Sequence, residues 1–318
     1  MNYFYTLLGS LFILVALVAL TLLLRNRSIL SSEHQPLFSR LVTDFSLPAL
    51  IFVNLSRRTF EIEKLLPALI MLCTILIACT IGFAAGKLLK MDRKSIGAFV
   101  LVSGWGSSST LGYALIMQVF NNNPEAMQDA MIISELGAGV PLFILSIPFA
   151  MYFGRQHADS KSVLKSVAEF FYSPIFIALV LGIVFSFLKL PSNNYAVNTV
   201  YNLFGMIGDS LEIFTAFAVG LMLQKIPVRQ LLPAIVALFC INLIAEPLIA
   251  LAGAQLFHLP KLAEEVLVIE AAMPAGAVAA VIAARYGCNG KLASALTIAM
   301  YFLSLGTVPL IYLLTAIT

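Results

Sequence analysis

Charge is what this chain lacks most. Only 11% of its 318 residues are Asp, Glu, Lys or Arg, against about 25% in soluble domains, while 60% are hydrophobic and the mean hydropathy is +0.97. So few charges exclude a soluble fold, and an integral membrane protein is expected. Histidine is equally scarce. His34, His157 and His258 fall in loops and do not cluster, so no metal centre is expected. No nucleophile–base pair is visible, so neither an enzyme nor a cofactor is expected. The four cysteines, Cys73, Cys79, Cys240 and Cys288, form no CxxC pair, and three lie inside apolar runs. There a thiol acts as a small hydrophobe rather than as a redox centre. The net charge of +3 is spread over short loops, which excludes a nucleic-acid face. No basic n-region follows Met1, and the first apolar run, 3–24, is too long for a signal h-region, so no cleavable signal is expected.

What the chain has instead is apolar length. About twenty apolar residues span a bilayer. That ruler gives ten helices, near 4–24, 37–56, 65–88, 95–119, 127–153, 168–188, 196–223, 229–256, 264–286 and 292–316. The fold class is therefore an all-α membrane protein of ten transmembrane helices. Orientation follows from Lys and Arg, which favour the inner side. With the N-terminus outside, the inner loops and helix ends hold 14 of the 19 basic residues. Both termini are expected outside the cytoplasmic membrane.

The two halves repeat. Leu65-Leu66-Pro67-Ala68 recurs as Leu231-Leu232-Pro233-Ala234, Asp44 recurs as Asp209, and Val140-Pro141-Leu142 recurs as Val308-Pro309-Leu310, at offsets of 165–168. Each half holds five helices, an odd number, so the second must be inverted relative to the first. Residues 1–153 form the first repeat, 154–167 a cytoplasmic loop, and 168–318 the second repeat. Inverted repeats with broken helices mark secondary transporters.

The same offset pairs two stretches that make poor continuous helices. One is Ser103-Gly104-Trp105-Gly106-Ser107-Ser108-Ser109-Thr110-Leu111-Gly112. The other is Glu270-Ala271-Ala272-Met273-Pro274-Ala275-Gly276. Proline removes a backbone donor and clashes with the preceding turn, and lipid cannot satisfy the groups so freed. Two broken helices are expected to cross near the midplane, with their second halves starting near Ser108 and Ala275. Free amides and the positive dipole end at such starts attract anions. The candidate substrate-binding residues are therefore Ser107, Ser108, Ser109, Thr110, Pro274, Ala275 and Gly276. The alternative is that these small residues merely let helices pack closely.

Acids inside a membrane are costly and commonly functional. Glu135, Glu246 and Glu270 lie well inside their helices, and no Lys or Arg stands at that depth. A sodium or proton site shared by Glu270, Glu135 and Glu246 is expected, unless each acid is held separately by Ser, Asn or backbone. Asp209 and Glu212 are candidates for lining the substrate cavity. Asp44, four residues after Arg40, is expected to form an exposed helical ion pair with it.

Four stretches resemble the auxin efflux carrier family, which includes plant auxin carriers and bacterial organic-acid permeases. They are Leu47-Pro48-Ala49-Leu50-Ile51-Phe52; Ser173-Pro174-Ile175 with Leu181-Gly182; Ala218-Val219-Gly220-Leu221-Met222-Leu223; and Glu270-Ala271-Ala272-Met273-Pro274-Ala275 with Ala284-Arg285-Tyr286-Gly287 and Leu292-Ala293-Ser294. The resemblance implies a scaffold of helices 1, 2, 6 and 7, often dimeric. It also implies a transport domain of helices 3–5 and 8–10 that moves as an elevator, with organic anions such as auxin, malate or malonate as substrates. The family's helix 4 reads Asn-x-Gly-x-x-Gly-x-Pro; here Ser107 stands at the Asn and Ala114 at the Pro. Glu270-x-x-Met273 is also similar to the sodium-binding turn of bile-acid sodium symporters, with Pro274 where a glutamine is expected, which makes Met273 a further candidate beside the cation. The function expected is secondary-active transport of a small organic anion, cation-coupled; the alternatives are a cation-independent efflux facilitator and a non-transporting ligand receptor.

Overall fold

The computed structural model describes Ile13 and residues 16–57, 65–121, 123–154, 172–188, 195–223 and 228–317. Most of the expected loop 154–167 and the start of the first expected helix lie outside the described residues. Among the described residues six helices are long and apolar enough to cross a membrane. They are α2 (Ser32–Val53), α3 (Leu65–Leu88), α6 (Pro124–Gly154), α8 (Tyr195–Met222), α9 (Leu231–Leu256) and α12, which runs apolar over Gly290–Ile311. Two shorter apolar helices, α1 (Ala16–Asn26) and α7 (Pro174–Leu188), stand beside them. The expected spans 95–119 and 264–286 are each divided. The first becomes α4 (Arg93–Gly104) and α5 (Tyr113–Val119), the latter entered through a π turn, Ser108–Gly112. The second becomes α10 (Lys261–Ala271) and α11 (Ala277–Arg285).

Prolines shape the long helices. Stretches of π-helix cover Leu41–Ser46, Ile133–Gly139, Leu142–Ser146 and Phe239–Ala245. Each ends two residues before a proline: Pro48, Pro141, Pro148 and Pro247. A proline ring collides with the carbonyl four residues back, and a widened turn removes that collision without ending the helix. Asp44 and Glu135 fall within these wide turns, and Glu246 directly follows one. One expectation is thereby corrected. Asp44 pairs not with Arg40 but with Arg285, at 3.4 Å. Arg285 reaches it from 241 positions away because the helix it ends packs on α2.

Packing follows small residues. On α3 the buried positions Met71, Ile75, Ala78, Gly82 and Gly86 recur every three or four residues, one helical face. A Cβ on Gly82 would stand 2.8 Å from Ser103 Oγ, so α3 and α4 touch closely there. Helices α7 and α8 lean on α2, where Ser46 and Ser210 share a hydroxyl bond of 2.7 Å. Arg25 at the end of α1 donates to the Leu223 carbonyl at 2.8 Å, satisfying an acceptor that the end of α8 leaves open. Elsewhere α3 packs against α4, α6 and α9, and α11 against α12. Helix α11 also touches α2 and α8.

Candidate functional site

The two divided spans meet at their breaks. Gly106 and Ala275 face each other in an isolated antiparallel bridge. Ser107 N–H donates to the Pro274 carbonyl at 2.8 Å, and Gly276 N–H donates to the Trp105 carbonyl at 2.7 Å. These bonds satisfy backbone groups that broken helices would otherwise leave bare in lipid. Glycine is required at the contact. A Cβ on Gly106 would come within 2.8 Å of the Met273 oxygen, and one on Gly276 within 3.0 Å of the Gly106 oxygen.

This geometry moves one expected boundary. The first half-helix starts at Ser108, where its π turn begins, but the second starts at Ala277, with Gly276 as its N-cap. Ala275 is held in the bridge, so helix cannot begin there. Pro274 is buried, and its carbonyl is taken by Ser107.

A cavity of about 330 Å³ opens at the crossing, at the lower end of the roughly 300–1,000 Å³ usual for small-molecule sites. Ser107, Ser108, Ser109 and Gly276 line it, whereas Pro274 and Ala275 lie behind its wall. The side chain of Thr110 lies outside the described part. Ser108 and Ser109 open a helix, so their amides have no acceptor within it. Trp105, Leu142 and Phe143 on one side and Leu47, Leu50 and Ile51 of α2 on the other make the remaining wall largely apolar. Glu135 and Glu212 also line the cavity; Asp209 does not.

Hydroxyl pairs order the polar wall. Ser108 and Ser134 stand 2.8 Å apart, and the Tyr301 hydroxyl donates to Ser107 at 3.0 Å. The indole of Trp105 donates to the Ala138 carbonyl at 3.1 Å, which ties the crossing to α6.

The acids divide into two places. Glu270 is wholly buried, and neither of its carboxylate oxygens has a hydrogen-bond partner among the described residues. It lies against the backbone of the other broken span: a Cβ on Gly112 would stand 2.6 Å from its Oε2. Glu135 is within electrostatic reach of Glu270, and Tyr113 donates to Glu135 at 3.0 Å. Glu246 stands apart on α9, where Asn242 donates to it at 2.6 Å. Met273 is fully buried with its carbonyl against Gly106. No cluster of three His, Cys, Asp or Glu side chains occurs among the described residues.

A family model described as membrane transport protein matches residues 6–312. The chain belongs to that family. It is the auxin efflux carrier family that the four sequence stretches resemble. The chain is similar to an uncharacterized transporter of Methanocaldococcus jannaschii, 24% identical over 270 residues, 83% of this chain and 84% of the relative. It is also similar to an uncharacterized transporter of Methanothermobacter thermautotrophicus, 22% identical over 298 residues, 93% of this chain and 94% of the relative. The chain is thus a multi-pass membrane protein among transporters. The further likeness to bile-acid sodium symporters is not shown by these matches.

Sequence reasoning passed over Tyr113, Ser134, Thr215 and Tyr301. Two aromatic signals were available. Trp105 is the only tryptophan, and it and Tyr301 sit inside spans rather than in the interfacial belts such residues prefer. Ser134 and Thr215 carry no such signal, since hydroxyls are common in membrane helices.

Proposed function

We propose that this protein is a secondary-active transporter of a small organic anion, a carboxylate of dicarboxylate or auxin-like type, coupled to Na+ or H+ and working by elevator-type alternating access. In this reading ten spans form two inverted five-helix halves. Helices α1, α2, α7 and α8 are the scaffold, through which two copies pair in the cytoplasmic membrane with their termini outside. The remaining helices carry the cavity across. The observation that carries the reading is the antiparallel contact of two helix breaks, Gly106 with Ala275, with a cavity opening on it.

The substrate carboxylate sits at the Ser108 and Ser109 amides and hydroxyls, where the helix dipole favours negative charge. Its apolar body faces Trp105, Phe143 and the α2 leucines. The cation neutralises Glu270, whose bare carboxylate lies against Gly112. Gly112 ends the π turn that Ser108 begins, so one short segment joins the two sites. Neutralising Glu270 relaxes its approach to Gly112 and sets the position of the Ser108 and Ser109 amides.

Counterflow of radiolabelled carboxylates in proteoliposomes, with and without sodium and pH gradients, tests this. Glu270→Gln is expected to keep exchange but to abolish its dependence on the cation gradient. Unchanged dependence in that variant removes Glu270 from the coupling.

A further inference from the structure

The charge balance of the cavity is unusual for a site that takes an anion. Among the described residues no Lys or Arg lines it, yet Glu135 and Glu212 both do. The amide ends at Ser108 and Ser109 carry only partial positive charge, about half an elementary unit for a whole helix end. One carboxylate is matched by those amides. A second would face Glu212 with no cation to offset it, and like charges at close range in a low-dielectric cavity repel strongly.

Glu212 does not stand alone. One turn further on α8, Thr215 lines the same cavity, is only 3% exposed, and its hydroxyl has no hydrogen-bond partner among the described residues. Buried hydroxyls are almost always paired, so Thr215 leaves an open hydrogen-bonding group beside the cavity. Residues three apart share a helix face, so Glu212 and Thr215 present a carboxylate and a hydroxyl acceptor together. That face lies within electrostatic reach of Tyr301, whose hydroxyl donates to Ser107 at the crossing.

We propose that the substrate brings its own positive charge: the cavity takes a zwitterion, a small amino acid with an apolar side chain, whose ammonium group is read by Glu212 and Thr215. The inference rests on the transporter reading and narrows its carboxylate to one that also bears an ammonium group. The carboxylate meets Ser108 and Ser109, the ammonium donates to Glu212 and the Thr215 hydroxyl, and the side chain lies against Leu50, Ile51 and Phe143. Charge-assisted bonds of this kind are the strong ones. They discriminate sharply against a ligand lacking the donor, because a group built to receive it is left unpaired.

The test compares matched ligands on the purified full-length chain. L-leucine and L-phenylalanine, their deaminated counterparts 4-methylpentanoate and 3-phenylpropanoate, and malonate are titrated by thermal shift and then used in counterflow. The amino acids are expected to bind about tenfold or more tightly than the deaminated acids, the change that one lost charge-assisted contact produces. Glu212→Gln erases that preference: the amino acids lose affinity while the deaminated acids, freed of a like charge, bind as well as before or better. Thr215→Val reduces the same preference, and the ligand comparison on the unmodified protein needs no variant at all. Tighter binding of deaminated acids or malonate, or a preference that survives Glu212→Gln, overturns the inference and leaves carboxylate transport standing. If no carboxylate of any kind shifts melting or exchanges, both readings fall together.

Discussion

Replacing Gly106 by alanine probes the crossing directly. The added Cβ would stand 2.8 Å from the Met273 carbonyl oxygen and 3.5 Å from two further Met273 atoms. The obstacle is backbone, which cannot rotate away as a side chain can. Relief requires the two chains to separate by several tenths of an ångström. That stretches the Ser107–Pro274 and Gly276–Trp105 bonds, now 2.8 and 2.7 Å, towards the limit of useful geometry. Each bond is worth about 1 kcal/mol net, and each buried group left unsatisfied costs about 1–3 kcal/mol, so the loss is about 2–6 kcal/mol. At roughly 2 °C per kcal/mol for a chain of this size, Gly106→Ala should melt at least about 4 °C below the parent in mild detergent and lose most of its uptake. Gly306→Ala is the control. A Cβ there has nothing within 4 Å, and alanine is favoured over glycine in a helix interior by about 1 kcal/mol. If Gly106→Ala melts and transports like Gly306→Ala, the breaks do not touch through backbone and the account of the crossing fails.

Three further outcomes are expected. The Asp44–Arg285 pair joins α2 to the end of α11 with both side chains partly exposed, so neutralising either should change stability by less than about 1 kcal/mol; it should alter transport rate instead, and the charge-swapped double variant should recover it. A large loss of stability in either single variant would refute this. Tyr301→Phe deletes the bond to Ser107 and should cost about 1 kcal/mol together with a weaker substrate affinity; unchanged affinity would mean that the ordering of Ser107 is irrelevant to binding. Burial pushes the Cys288 thiol, in the turn after α11, up to about 12. A raised value keeps the thiol protonated until the pH approaches it, so alkylation of Cys288 at pH 8 should be slow in the folded protein and fast after denaturation.

How much of this was readable in one dimension depends on range. The membrane class, the span Leu65–Leu88 and the two breaks were legible because each rests on local chemistry: apolar length, glycine and proline. The candidate anion seat was half legible. Ser107, Ser108, Ser109 and Gly276 do line the cavity, but Pro274 and Ala275 are consumed in the bridge that forms its wall. The ion pair of Asp44 was misread. Its partner Arg285 lies 241 positions away, where no local pattern points.

The sequence by itself determined that this chain lives in a bilayer, belongs with transporters and interrupts two of its spans. Composition and proline act on each segment whatever surrounds it. Only the tertiary structure decided which polar groups meet. Glu270 comes to rest on Gly112 of the other broken span, whereas Glu246 turns to Asn242 on its own helix. Glu212 and Thr215 face a crossing built from residues more than a hundred positions away on one side. Such pairings depend on how helices rotate and lean, which small residues permit and no single segment encodes.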